Sequence, residues 1–177
     1  MKYNLYIILL FFSFSFGQEN QIEEKYFKEI KAILKNKKVK KSFEYIIQQE
    51  PFTHENLIKI TEIEAPPFKE EKRAIAFKKM IEEVGIDSIW IDIEGNVVGL
   101  LRGQQGVKTV GIDAHLDTVF PEGTDVKVRI KNDTLYAPGI ADDSRGLSML
   151  ITILKTIKSN NIILRDNLLF IGTVGEE

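Results

Sequence analysis

The sequence predicts an α/β protein with a mixed sheet flanked by helices, and two observations carry that prediction. In the first half, apolar residues recur at the spacing of amphipathic helices. From residue 86 onward, the spacing changes to two, and short apolar runs then alternate with one further helical segment. Strands separated by helical segments favour a sheet that is covered by helices on both faces.

Four helices are predicted before the first strand. Pro51 interrupts the helical pattern, so Thr53 is expected to cap the third helix, and Pro66 with Pro67 to end it. Gly85 is the expected C-terminal cap of the fourth helix. The predicted spans are 22–34, a segment around 43–47, 53–63 and 69–84.

The remaining pattern predicts strands and one more helix. A hairpin is expected from Ile86 to Leu101, with its turn at residues 94–96. An edge hairpin should turn at Asn132 and Asp133. Two apolar runs predict buried strands at 109–114 and 167–174. The amphipathic run between them predicts a helix at 147–157.

Composition and charge narrow the function classes. The 177 residues are 44% hydrophobic and 28% charged, which is typical of a globular domain. The formal net charge of -2 implies no general attraction to nucleic acid or anionic lipid. The basic run 35–41 lacks interleaved aromatic residues, so it is interpreted as a solvated helix connection rather than a binding patch.

Residues 1–17 have the layout of a signal peptide: a short charged start, an apolar stretch and a small-x-small site that ends at Gly17. The apolar stretch is about a dozen residues, whereas a membrane span needs about 20. We therefore expect cleavage rather than a stable membrane anchor, and an exported, periplasmic or extracellular protein. Residues 18–177 are then one domain, with a helical lead-in to about residue 50.

The chain has no cysteine, which excludes disulfides, thiolate metal sites and a cysteine nucleophile. Two histidines are present, His54 and His115. His115 directly follows an apolar strand, where a neutral imidazole is a good zinc ligand. Asp117 could accept the other ring N–H and so orient the imidazole. A structural histidine is the alternative for this pair taken by itself.

Two acidic pairs accompany His115. Asp142 and Asp143 stand between a Pro-Gly turn and a predicted helix, so they are either a helix cap with a solvated neighbour or a metal-bridging pair. Glu176 and Glu177 follow the last apolar strand, where one can bind a metal and the other hold a water, unless both are merely exposed. Ligands of open α/β sheets gather at the carboxyl ends of strands, so we expect all three motifs to meet.

The ordered set His-Leu-Asp-Thr-Val, Tyr-Ala-Pro-Gly-Ile-Ala-Asp-Asp and Gly-Thr-Val-Gly-Glu-Glu resembles the co-catalytic di-zinc family of carboxypeptidase G, peptidase T, aminoacylase and acetylornithine deacetylase. The resemblance implies that His115 binds one zinc, Asp142 bridges two, and Glu177 binds the second. It also implies that Asp117 orients His115, that Glu176 is the general base, and that the Asp142–Asp143 peptide bond is cis. Co²⁺ or Mn²⁺ are the alternative metals.

What the family does sets the functional expectation. The resemblance implies hydrolysis of peptide or amide bonds in small peptides or N-acyl amino acids. A narrower N-acyl amino acid deacylase and a non-catalytic binding module on the same scaffold are the alternatives. Family members are about twice as long and supply further zinc ligands downstream. We therefore expect residues 18–177 to be the N-terminal portion of an α/β metallohydrolase catalytic domain, and this chain to be a truncated fragment that is inactive by itself. A homodimer is an expectation for the full-length parent.

Overall fold

The computed structural model describes residues 24–177. The chain divides into two units, residues 1–35 and 36–177. The predicted signal peptide lies outside the described residues and stays a prediction. Across residues 24–177, no helix combines the length and the apolar character that crossing a membrane requires. The helices are α1 Glu24–Lys35, α2 Lys37–Gln48, α3 Glu50–Thr61, α4 Glu71–Val84 and α5 Ser144–Ser159, and the strands are β1 Ser88–Ile91, β2 Val97–Leu101, β3 Thr109–His115, β4 Arg129–Lys131, β5 Thr134–Tyr136 and β6 Asn167–Thr173.

The basic run 35–41 is not the helix connection that the sequence predicts. Most of it lies within α2, which begins at Lys37, and Asn36 is the one non-helical residue that separates α2 from α1. The Asn36 side chain accepts a hydrogen bond from the backbone N–H of Lys38 at 2.9 Å, and so caps α2. This N-cap satisfies one of the orphan donors of the first turn, which allows a helix to start directly on a lysine-rich segment.

Helix α3 begins earlier than the sequence predicts. Pro51 lies in its first turn rather than before it, because a missing N–H costs nothing at that position. Thr53 is inside the helix, and its hydroxyl donates to the carbonyl of Gln49 at 3.0 Å instead of capping. The predicted span of α4 and its cap are confirmed: Gly85 follows α4 with a left-handed φ of 96°.

The central sheet is mixed, as predicted. Its strand order is β1-β2-β6-β3, with β6 antiparallel to β2 and parallel to β3. The hairpin of β4 and β5 turns at Asn132 and Asp133, both at positive φ, as predicted. It forms a separate two-stranded sheet, however, and is not an edge of the main one.

Strand β3 is less buried than the sequence predicts. Its first half is exposed, with Val110 at 55%, and burial begins at Ala114. The reason is its place in the sheet, since β3 pairs with β6 on one side and is the outer strand of the four described. An apolar run alone does not distinguish a central strand from an outer one.

One face of the sheet holds the hydrophobic core. Helices α4 and α5 pack on this face. The opposite face carries Val98, Leu100, Leu169 and Ile171, which are half-buried and lie outside that core. Flanking helices are thus confirmed, and in residues 36–177 the core they build lies on one face rather than two. The core side chains include Phe77, Ile81, Val97, Leu147, Ile151, Leu154 and Phe170.

Helix α4 lies close to the sheet at Gly172 of β6. A Cβ at this position would lie 3.0 Å from two ring atoms of Phe77 and 3.3 Å from Leu116. Phe77 is fully buried in the core and cannot easily move away. The absence of a side chain at Gly172 therefore sets how closely α4 packs on the strand.

We expect Gly172→Val to lower the free energy of unfolding by about 1–3 kcal/mol, because the new side chain overpacks the core against Phe77. The matched control is Gly111→Val on β3, where a Cβ would contact one atom of Ile171 at 3.5 Å. Urea unfolding followed by circular dichroism measures both. Equal losses in the two variants would contradict the close-approach explanation.

Candidate metal centre

Two of the three motifs leave the sheet at the same edge. In the parallel pair of β3 and β6, His115 is aligned with Thr173, so the segments that follow both residues emerge together. The backbone N–H of Leu116 donates to the carbonyl of Thr173 at 2.7 Å, which extends the pairing by one residue. The predicted convergence of the His115 and Glu177 segments is confirmed.

Asp143 connects the third motif to this edge. It is the N-cap of α5, and its carboxylate accepts a hydrogen bond from Gly146 N–H at 2.9 Å. The other oxygen of the same carboxylate accepts from the backbone N–H of His115 at 3.3 Å. Asp143 therefore ties the start of α5 to the end of β3, and the structure assigns the cap to the second aspartate of the pair.

Asp142 lies beside this cap and faces outward. Its peptide bond to Asp143 is cis, as the family resemblance implied. Its side chain is 80% exposed, and one carboxylate oxygen lies 2.9 Å from His115 Nε2. The two adjacent aspartates thus have different surroundings, because Asp143 is occupied by backbone donors and Asp142 faces an imidazole.

A potential ligand group forms where these segments meet. His115, Asp142 and Glu177 each offer one ligand atom, and the three atoms lie within 4.8 Å of one another. One imidazole and two carboxylates are a donor set that zinc accepts. The residues present therefore fit the metal that the family resemblance implies, and all three predicted ligands are together.

The second ring nitrogen of His115 has a different partner from the one predicted. Nδ1 lies 3.1 Å from the backbone carbonyl oxygen of Asp117, and 3.5 Å from the Asp117 carboxylate. Hydrogen-bond distance therefore favours the carbonyl as the acceptor of the ring N–H. Asp117 can orient His115, as expected, but through its main chain more directly than through its side chain.

The Asp117 carboxylate is fully buried and serves another contact. One oxygen accepts a hydrogen bond from the backbone N–H of Glu177 at 2.8 Å. The other, Oδ1, has no hydrogen-bond partner among the described residues. Asp117 thus contacts both His115 and Glu177, the two ligands that come from the sheet edge.

The local carboxylates change the titration of His115. Burial by itself would lower the pKa of the imidazole, but the hydrogen bond to Asp142 and the charges of Asp143, Asp117 and Asp142 outweigh it, so the pKa of His115 is raised above its usual 6.5. The site therefore attracts positive charge. A metal ion would compete with a proton for the same imidazole.

Two candidate residues lie outside the ligand group. Glu176 is exposed after Gly175, and its carboxylate has no hydrogen-bond or ion-pair partner in the part of the chain that the structure describes. Glu176 is adjacent in sequence to Glu177, a member of the potential ligand group. His54 is exposed on α3 and is not part of the group, in agreement with the sequence reading that assigned it no ligand role.

Sequence reasoning missed Arg73, a fully buried arginine behind the site. Its Nη1 donates to the carbonyl of Leu116 at 2.8 Å, and Leu116 stands between His115 and Asp117. A signal was present, because Arg73 is four residues before Phe77 and so falls on the apolar stripe of α4. A charged residue on the buried face of a helix is the feature that could have identified it.

Residues 111–177 match the family described as Peptidase family M20/M25/M40. The uncharacterised protein YqjE of Bacillus subtilis (strain 168) is 29% identical over 134 residues, which are 70% of this chain and 36% of that protein. Carboxypeptidase G2 of Pseudomonas sp. (strain RS-16) is 36% identical over 69 residues, which are 38% of this chain and 16% of the relative.

The same relationship is visible in three dimensions. The crystal structure of aminopeptidase PepT from Bacillus cereus ATCC 10987 superposes with a TM-score of 0.60 at 25% identity, covering 70% of this chain and 36% of that one. The chain thus spans about a third of the length of YqjE and of PepT. Residues 111–177 of this chain are thus similar to the Peptidase family M20/M25/M40, and its α/β fold is similar to that of aminopeptidase PepT.

Proposed function

We propose that this metal centre takes part in the zinc-dependent hydrolysis of peptide or amide bonds in small peptides or N-acyl amino acids. The observation that carries the proposal is the meeting of His115, Asp142 and Glu177 within 4.8 Å, with the unpaired Glu176 next to them. The relatives are about three times as long as the matched part of this chain, so the activity of the whole protein is part of the proposal.

Each residue of the group has a proposed task. His115 and Glu177 would each hold one Zn²⁺, and Asp142 would contribute to both. Bound zinc lowers the pKa of a water and polarises a carbonyl oxygen. Asp117 keeps His115 oriented, since its carbonyl accepts the ring N–H and leaves Nε2 directed at the ligand group.

Glu176 is the proposed general base. Its exposed carboxylate would take a proton from the attacking water and later deliver that proton to the departing amine. Neither step requires a further acid from this chain. The cap formed by Asp143 and the strand end at His115 hold the surrounding backbone in place while the proton moves.

The names of the relatives favour peptides as the substrate class. One is a carboxypeptidase and another an aminopeptidase, so the family match alone does not choose which end of a peptide is cleaved. An N-acyl amino acid deacylase would use the same metal chemistry on a different amide. A substrate panel of dipeptides, tripeptides and N-acetyl amino acids separates these activities, and a non-catalytic module would cleave none of them.

We expect the chain to bind Zn²⁺, and His115→Ala to weaken the binding by more than about 100-fold, because this change removes a direct ligand and not an outer partner. Isothermal titration calorimetry of the full chain measures the affinity. The matched control is His54→Ala, which removes the other histidine. The assignment fails if both variants bind Zn²⁺ as the unmodified chain does.

We expect Glu176→Gln to reduce hydrolysis by about 10²–10⁴-fold while zinc affinity stays within about twofold, because the amide cannot accept the proton but does not touch the ligands. The assay uses the longest natural polypeptide that contains these residues. Glu83→Gln, an exposed glutamate at the far end of α4, is the control. Unchanged hydrolysis in Glu176→Gln would exclude Glu176 as the base.

The raised pKa of His115 has a consequence for the metal-free chain. The stability that protonated His115 gains from Asp142 is fully present below about pH 6.5 and is lost as the pH rises through the folded-state pKa. In EDTA, we therefore expect the chain to lose more stability between about pH 6 and pH 8.5 than His115→Gln does. Urea unfolding at the two pH values measures this difference, and identical losses would contradict the pKa direction.

A further inference from the structure

Arg73 of α4 is a charged side chain that is fully buried inside the protein. Its side chain has no exposed surface, and it is the largest of the fully buried side chains in the described residues. Transfer of a charge into the interior is costly unless hydrogen bonds and an opposite charge compensate it. The hydrogen bonds and charges around Arg73 therefore show how its burial is compensated.

Hydrogen bonds supply only part of the compensation. Nε and Nη2 both donate to the carbonyl of Ile63, and Nη1 donates to the carbonyl of Leu116 at 2.8 Å. Both acceptors are neutral main-chain oxygens. The guanidinium thus connects two segments of the chain by hydrogen bonds. One segment contains Ile63, and the other lies between His115 and Asp117.

The compensating charge comes from Asp117. Burial lowers the pKa of Arg73 to about 10, and the negative charge of Asp117 acts in the opposite direction. In residues 24–177, the two side chains form no direct ion pair, so the attraction between their charges acts at a distance and not through a hydrogen bond. Asp117 is also fully buried, and its Oδ1 has no hydrogen-bond partner within this part of the chain.

The carboxylate of Asp117 also lies next to two of the proposed ligands. It accepts the backbone N–H of Glu177, and its Oδ1 lies 3.5 Å from His115 Nδ1. A chain of contacts therefore runs from the interior cation to both ligands at the sheet edge. Without the cation, the buried carboxylate would lose its counter-charge, and the Leu116 carbonyl would lose its donor.

We infer that Arg73 is a positioning residue of the metal centre, which holds the His115–Asp117 segment by its hydrogen bond to Leu116 and balances the charge of the buried Asp117. This inference rests on the proposed function, since it concerns the geometry of the same ligands. Arg73 touches neither the ligand atoms nor a substrate. Its effect reaches the metal through Asp117 and Leu116.

The first test is a double-mutant cycle in EDTA with Arg73→Met, Asp117→Asn and both together, followed by urea unfolding of the full chain. We expect each single change to lower stability and the double variant to lose clearly less than the sum, because the two charges then disappear together. Additive losses would overturn the charge-balance part of the inference. The cycle contains no metal, so its result is independent of the proposed function.

The second test measures zinc affinity by calorimetry. We expect Arg73→Met to weaken zinc binding by about 10–100-fold, and Arg73→Lys, which keeps the charge, to recover part of that loss. The control is Ile81→Ala, a core change two turns further along α4 that is expected to destabilise the chain and leaves the hydrogen bond from Arg73 to Leu116 in place. If Arg73→Met does not fold, Arg73→Gln, which also removes the charge, replaces it in both tests.

The outcomes are separable. Loss of zinc affinity in Arg73→Met but not in Ile81→Ala, together with rescue by lysine, supports a positioning role. Equal zinc affinity in the two variants would reduce Arg73 to a structural core residue and overturn the inference. Failure of the unmodified chain to bind zinc would instead reject the proposed metal centre, and with it a positioning role, while the cycle in EDTA would still report the charge coupling.

Discussion

The parallel pairing of β3 with β6 is the constraint on which the candidate metal centre depends. Because the strands run in the same direction with His115 opposite Thr173, the residues after each strand leave the sheet at one edge. An antiparallel pairing would place these ends on opposite edges of the sheet. The contact between Glu177 N–H and the Asp117 carboxylate joins residues 60 positions apart, and it follows directly from this alignment.

The site then has to accommodate several negative charges in a small space. Backbone N–H groups donate to Asp143 and to one oxygen of Asp117, and the buried Arg73 offsets the charge of the latter. Asp142 differs, since it is exposed and its side-chain partner among the described residues is the imidazole of His115. Of these three aspartates, Asp142 is therefore the one that faces an imidazole nitrogen at hydrogen-bond distance without accepting a main-chain hydrogen bond in the described residues.

Helices α4 and α5 support the candidate site from the core side of the sheet. Helix α5 begins at Asp143 and places that cap against the end of β3, while α4 approaches β6 closely enough that Gly172 has no room for a side chain. Both helices share one core on one face of the sheet. The ligand edge is therefore held by elements that are themselves fully packed, which favours a preorganised metal centre.

Sequence patterns were most accurate where one local signal dominated. The apolar stripe and Gly85 defined α4 and its end, and alternation defined the hairpin of β1 and β2. They failed where a local signal had two structural outcomes. Pro51 both breaks a helix and begins one, and an apolar run such as β3 suits an outer strand as well as a central one.

The sequence alone was enough to propose the candidate ligands, since the order of the three motifs resembles a known family and that resemblance singles out His115, Asp142 and Glu177. It did not determine how their neighbours are used. That Asp143 caps α5, that the carbonyl of Asp117 faces the His115 ring, and that Arg73 is buried behind them was decided by tertiary structure. The physical reason is that each of these contacts joins elements far apart in the chain or depends on side-chain direction, and neither is encoded in a local pattern.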